Sequence, residues 1–177
     1  MHLGNQPKKK IKKREALMAS IVNSSHVVKE VDKPEKVTNL LYQQMQSNVV
    51  FQTCSEEELV KINKAFDSVS YTTGSLIFQQ GSEADRFFVI EEGVLDVLQD
   101  GEHVDKIKGS SSFGEISLLF GSSYHVTVCA RSDCKLWCLH QQDYRAITSQ
   151  YKLKRMQFKI DFLRKVSFVN VLMLADI

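Results

Sequence analysis

The run Gly109, Ser110, Ser111, Ser112, Phe113, Gly114 and Glu115 is polar and glycine-rich, and it leads straight into Ile116, Leu118, Leu119 and Phe120. A glycine-serine loop that opens a helix presents unpaired backbone N–H groups at the positive end of the helix dipole, which is chemistry for holding an anion. The N–H groups of Gly114, Glu115 and Ile116 fall at that end, and the Glu115 carboxylate can accept hydrogen bonds from a sugar hydroxyl. A simple capped turn has the same local pattern, so these residues alone leave both readings open. Cys54, Cys129, Cys134 and Cys138 include no C-x-x-C pair and no zinc spacing, and they read as buried free thiols. The sequence shows no catalytic triad, no metal-binding histidine cluster and no ATP-binding glycine loop, so no catalytic or metal-ligating residue is assigned.

The elements that must position this segment are legible as changes of texture. Residues 1–34 read as a basic tail and linker. Residues 35–67 read as N-terminal helices: Val37, Leu40, Leu41 and Met45 recur at helical spacing after Pro34, and Ser55 with Glu58 forms a capping box ahead of Leu59, Ile62, Ala65 and Phe66. From 68 to 140, short β-rich runs (69–72, 76–78, 87–90, 94–98, 104–107, 124–130 and 136–139) alternate with glycine turns, as in a sandwich or small barrel. Residues 141–177 return to helical texture, with one short helix at 143–148 and a longer one at 153–163. The fold class is therefore α+β, a β-roll with helices on both sides. The final residues read as mid-element, as in a piece of a longer protein.

The 177 residues carry a formal net charge of +2, unevenly spread. Lys8, Lys9, Lys10, Lys12, Lys13 and Arg14 are six of the 23 basic residues, which leaves 17 against 21 acidic residues elsewhere. A mildly acidic body with a basic tail is not a nucleic-acid binder. No apolar run reaches the roughly 18 residues of a membrane span, and no apolar core follows the basic start as in a secretory signal. These features lead us to expect a cytoplasmic protein.

Phe113-Gly114-Glu115-Ile116-Ser117-Leu118-Leu119-Phe120 resembles the phosphate-binding cassette of the cyclic nucleotide-binding domain. The flanks agree: Gly74 to Gly81, Phe87-Phe88-Val89-Ile90 and Gly93 match the family's early strands and turns. Leu136-Trp137-Cys138-Leu139 and Tyr144-Arg145-Ala146-Ile147 resemble the version in protein kinase A regulatory subunits and cyclic GMP-dependent kinases, and Phe162 to Ser167 resembles the link to a second such domain. The resemblance implies an eight-stranded, jelly-roll-like β-roll with helices before and after it. It implies a regulatory, non-catalytic chain that acts on a protein kinase catalytic domain in cis or in trans. The implied ligand is cyclic AMP, cyclic GMP or a related purine nucleoside, and the implied ligand-binding residues are Phe113, Gly114, Glu115, Ile116, Ser117, Ser122, Ser123, Tyr124 and Thr127. No cofactor is implied.

One departure bears directly on the ligand. The family's cassette carries an arginine nine residues after the glutamate, where it grips the cyclic phosphate, usually just after a proline. Here that position is Tyr124 and Ser123 replaces the proline, while Thr127 and Val128 stay in register. Losing one partner of a buried charge pair costs about 2–5 kcal/mol, or roughly 30-fold to several thousand-fold in affinity. Tyr124 shares parity with Val126, Val128 and Ala130 and should face the interior, whereas His125 should face away. Arg86 reads as a loop residue, and Arg131 and Lys135 as solvated. The expected function is a kinase-regulatory domain with weak, altered or absent cyclic nucleotide binding. The alternatives are a ligand-dead interaction module and a sensor of an uncharged nucleoside. In the tail, Lys13 and Arg14 ahead of Ala16 and Leu17 fit a pseudosubstrate, in which alanine cannot accept a phosphoryl group; a tail that is solvated, or that binds acidic lipid or RNA, is the other reading.

Overall fold

The computed structural model describes residues 26–120 and 122–174, with side chains as far as Phe162. The candidate pseudosubstrate residues, Lys13, Arg14, Ala16 and Leu17, lie outside the described residues.

Helix α1 (Glu35–Ser47) starts after Pro34, which occupies the N-cap position rather than the first turn. The Pro34 carbonyl accepts from the N–H groups of Val37 and Thr38, each at 3.0 Å. Val37, Leu41 and Met45 form the buried stripe of α1. A 3-10 turn (Val49–Phe51) leads to α2 (Glu56–Ala65), whose capping box is as the sequence indicates: the Glu58 carboxylate accepts from the Ser55 N–H at 2.8 Å, and the Ser55 hydroxyl accepts from the Glu58 N–H.

Eight strands follow: β1 (Asp67–Tyr71), β2 (Leu76–Phe78), β3 (Arg86–Glu92), β4 (Val94–Gln99), β5 (Glu102–Lys108), β6 (Ser112–Phe113), β7 (Thr127–Ala130) and β8 (Cys134–His140). They pair antiparallel in two four-stranded sheets, ordered β1-β8-β3-β6 and β2-β7-β4-β5. Between β6 and β7 lies the short helix α3 (Ile116–Leu119), and after β8 the chain enters α4 (Gln141–Leu174). The architecture is the α+β roll with flanking helices that the sequence indicates.

The unalternated apolar runs of β3 and β8 have a direct cause, since both faces of their sheet are covered. Phe88 and Ile90 of β3, with Leu136 and Cys138 of β8, point between the sheets, where they meet Leu95, Phe113 and Val128. Phe87 and Val89, with Trp137 and Leu139, point the other way and pack under Leu41, Phe51, Ile62 and Tyr144 of the helical layer.

Several expectations are corrected. The two C-terminal helices are one 34-residue helix, because no glycine or proline occurs after Gly121 to break it. Residues 112–113, read as part of an anion loop, pair with Phe88 and Val89 as β6. Residues 124–126 are not strand, because backbone bonds tie Tyr124 to the turn at 81–82 instead. Arg86 opens β3 rather than sitting in a loop. Cys134 and Cys138 are buried free thiols, but Cys54 and Cys129 are only partly buried.

Candidate functional site

Gly114 sets the backbone of the site. Its φ is +81°, and a Cβ there would meet the Arg86 carbonyl oxygen at 2.8 Å. Glycine therefore lets the turn after β6 lie directly on the start of β3. Ser117, one turn on, is buried, and its hydroxyl is shared between the carbonyls of Arg86 (2.7 Å) and Gly114 (2.6 Å). Tyr124 reaches the same point from the far side of the loop, its hydroxyl donating to the Arg86 carbonyl at 3.2 Å. One backbone carbonyl thus fastens both ends of the 114–124 segment. The segment's return limb is held by backbone bonds from Ala84 N–H to Ser122 O (2.9 Å), Tyr124 N–H to Ser82 O (2.9 Å) and Gly81 N–H to Tyr124 O (2.8 Å).

This segment roofs a cavity of about 180 Å³ at the mouth of the roll. Phe78, Val97, Phe113 and Val128 form apolar walls, and Gly114, Glu115, Ile116, Ser117, Ser122, Ser123 and Tyr124 line the rim. Eight of the nine ligand-binding residues expected from the sequence are therefore brought together. Thr127 is not among them; its hydroxyl accepts from the Gln80 N–H at 3.0 Å. His125 is exposed, but it stands on the rim rather than on a remote face.

The described lining of the cavity carries little side-chain charge. Glu115 carries the one carboxylate of the described lining, and no lysine or arginine lines it. Among the described residues the Glu115 side chain has no hydrogen-bond partner and does not cap α3. Of the cations weighed from the sequence, Arg131 pairs with Asp96 (3.1 Å) and Lys135 with Glu91 (3.0 Å), while Arg86 Nε stands 3.5 Å from Asp85 without a hydrogen bond. Burial pushes the Tyr124 phenol up to about 12, so it stays neutral at physiological pH. Its single O–H is already donated to Arg86.

The site is wired to α4 through side chains that sequence reasoning did not single out. Gln141 donates to the carbonyls of Ser117 and Phe120, and Arg145 donates to Leu119 O at 3.3 Å. These are orphan carbonyls at the end of α3, and the first turn of α4 satisfies them. The Arg86 carbonyl and the Phe78 ring were missed too. A backbone acceptor leaves no mark in a sequence, and Phe78 looks like any other strand aromatic.

The pattern of the cyclic nucleotide-binding domain matches residues 68–151. A cAMP-dependent protein kinase regulatory subunit from Dictyostelium discoideum is 35% identical over 145 residues, covering 79% of this chain and 44% of its own length. The chain thus spans less than half of that relative. A substituted regulatory subunit of a cAMP-independent protein kinase A from Trypanosoma brucei, bound to cAMP in its A site, has a TM-score of 0.61 at 23% identity, over 78% of this chain and 52% of that one. The regulatory subunit of a cAMP-independent protein kinase A from Trypanosoma cruzi, bound to guanosine, has a TM-score of 0.61 at 20% identity, over 82% of this chain and 52% of that one. These structural likenesses establish a shared fold.

Proposed function

Residues 68–151 make the chain a member of the cyclic nucleotide-binding domain family, and from that premise we propose that it is a regulatory domain of a protein kinase A-type system whose pocket has lost its grip on a cyclic phosphate. The carrying observation is Tyr124. Its ring stacks on Phe78 and its hydroxyl is spent on the Arg86 carbonyl, in the position where the family's arginine would meet the phosphate. An ionic fork is replaced by a neutral, self-satisfied ring, and no lysine or arginine is among the described residues that line the cavity. Cyclic AMP and cyclic GMP are accordingly weak ligands. The domain exerts its effect on a kinase catalytic domain, in cis or in trans, in the cytoplasm, and it performs no chemistry itself. The proposed division places a tail at 1–34, helices at 35–67, the roll at 68–140 and the helical connection at 141–177.

A second reading concerns what the pocket takes instead. An uncharged purine nucleoside suits apolar walls, an unpartnered Glu115 able to accept from ribose hydroxyls, and the neutral hydroxyls of Ser122 and Ser123. The guanosine held by the Trypanosoma cruzi relative is a ligand of this class. The test is a thermal-shift titration of the chain with cyclic AMP, cyclic GMP, adenosine, guanosine and inosine. A ligand at a hundred times its dissociation constant adds about 2.7 kcal/mol. Stabilisation by a nucleoside at concentrations where the cyclic nucleotides do nothing is the expected result. Stabilisation by a cyclic nucleotide at micromolar levels would overturn the proposal. No shift with any ligand would leave a silent interaction module.

A further inference from the structure

Residues 26–33 run as an extended strap across the helical layer. His26 Nε2 lies 2.6 Å from Asp143 on α4, Glu30 pairs with Lys61 (2.6 Å) and Lys64 (3.3 Å) on α2, and the Val31 N–H donates to the Lys64 carbonyl (2.8 Å). The strap ends on Lys33, whose surroundings differ from those of Lys29, Lys61, Lys64 and Lys135. Lys61, Lys64 and Lys135 each pair with a carboxylate at 3.3 Å or less, and Lys29 reaches Asp67 at 3.8 Å. Lys33 donates instead to two neutral acceptors, the carbonyls of Val31 (2.9 Å) and Lys64 (3.0 Å). Its Nζ stands 5.5 Å from the centre of the Trp137 ring.

Carbonyl acceptors serve an amine as well as an ammonium, so this arrangement does not require the charge. Burial opposes the charge most strongly and, with Lys64 on α2, outweighs the favourable Asp67 on β1 and Asp32 on the strap, bringing Lys33 down to about 8. Lys33 lines a second cavity, of about 200 Å³, whose walls include Val31, Thr38, Tyr42 and Val60 along with the charged Asp32 and Lys64. That space is large enough for a short acyl chain.

We propose that Lys33 is an acylation site that takes a short acyl group from a thioester. The Lys33 nitrogen attacks the thioester carbonyl carbon, the new C–N bond forms as the C–S bond breaks, and the amine's proton leaves with the thiol. The product amide has no charge and one N–H. It cannot keep both bonds to the Val31 and Lys64 carbonyls, and it removes one of the two cations over Trp137, leaving Lys135 at 5.8 Å. Acylation thus loosens the strap at the end of α2, where the Val31 N–H and the Glu30 carboxylate keep their bonds.

The test uses the 177-residue chain with acetyl-coenzyme A as the thioester, at limited conversion near pH 8, with peptide mass mapping. Lys33 should be acetylated at least tenfold faster than Lys29 or Lys61, and the preference should vanish in 8 M urea. A smaller ratio in the folded chain, or a preference that survives urea, overturns the proposal. The chain's single tryptophan supplies a second readout. Trp137 emission should change in step with acetylation at Lys33, and K33R, which keeps the charge and offers no amine, should abolish that change. An undiminished change in folded K33R also overturns it.

Discussion

The ring of Tyr124 lies flat against the ring of Phe78, with centroids 3.7 Å apart and planes 9° from parallel. Both rings belong to the buried cluster between the two sheets, so this side of the cavity is part of the core. On the proposed reading, a position that holds a charge for the ligand in the family here holds aromatic contact for the fold. A nearly face-to-face pair this close lacks the electrostatic gain of offset or edge-to-face pairs, so what it contributes to the fold is buried apolar area.

That exchange makes Y124R a two-sided experiment. Without ligand, the variant loses the stacking on Phe78 and places a guanidinium against apolar walls, so its melting midpoint should fall. With cyclic AMP, the restored fork should tighten binding by roughly 30-fold or more. Calorimetric titration of both proteins, with melting curves for each, checks the two signs together. A Y124R protein that is destabilised yet binds cyclic AMP no better would show that the pocket's other contacts had been lost as well.

Glu115 offers the complementary change. It lines the cavity and has no hydrogen-bond partner among the described residues. E115Q should therefore leave the melting midpoint within about 0.5 kcal/mol of the parent. Binding of whichever nucleoside shifts the parent should weaken about tenfold or more, because a charged acceptor is replaced by a neutral one. Equal affinity in the two proteins would remove Glu115 from the ligand site.

Much of this was legible in the sequence because it depends on local or periodic signals. The Ser55–Glu58 box, the stripe of Leu59, Ile62 and Ala65, and the punctuating glycines are such signals, and the roll and its helices follow from them. The structure buries Tyr124 with Val128 and Ala130 as parity suggested, but 124–126 are not strand, and Tyr124 is held by its backbone bonds to Gly81 and Ser82 instead. What Tyr124 touches was not legible. Phe78 is 46 residues away in sequence, and the Arg86 carbonyl belongs to a backbone whose position only the assembled sheets define. The continuity of α4 was underestimated because its hydrophobic periodicity is weak along an exposed stretch; Met156, Phe158 and Phe162 are exposed large apolar side chains rather than a buried stripe. Absence of glycine and proline was the better signal there.

The alkaline limb of the stability profile should report on the buried phenols. Tyr124 and Tyr144 are both raised by burial from 10.0 to about 12. Between those values the unfolded chain has released the proton that the folded chain still holds, so stability falls as pH rises from about 10 to 12. Lys33 acts with the opposite sign: its folded value of about 8 lies below its ordinary 10.5, so stability rises between those values as the unfolded chain holds the extra proton. Urea midpoints at half-unit steps from pH 8 to 11.5 resolve the two. Y124F should lose stability less steeply than the parent above pH 10 while matching its rise below. Identical slopes above pH 10 would mean that Tyr124 titrates normally in the fold.

The long helix is held to the N-terminal layer by a clamp whose removal has a calculable cost. Arg155 Nη1 and Nη2 lie 3.1 and 3.2 Å from the two carboxylate oxygens of Glu58, a two-pronged contact between α4 and α2. The Glu58 side chain is 1% exposed and also accepts from the Ser55 N–H and hydroxyl, while Arg155 remains 47% exposed. R155A would strand a buried carboxylate with only the capping serine to satisfy it. With the arginine half in water, the cost should be about 1–3 kcal/mol, less than for a fully buried pair. R155K keeps a charge but not the fork, and should fall between. Because Gln141 and Arg145 hold α3 from the far end of the same helix, R155A should raise hydrogen exchange in α4 near residue 155 before it does so near residue 141. Urea denaturation gives the energies and exchange by mass spectrometry gives the order. An R155A protein as stable as the parent, with unchanged exchange along α4, would show that Tyr144, bonded to the Val50 carbonyl at 3.2 Å, docks the helix without the clamp.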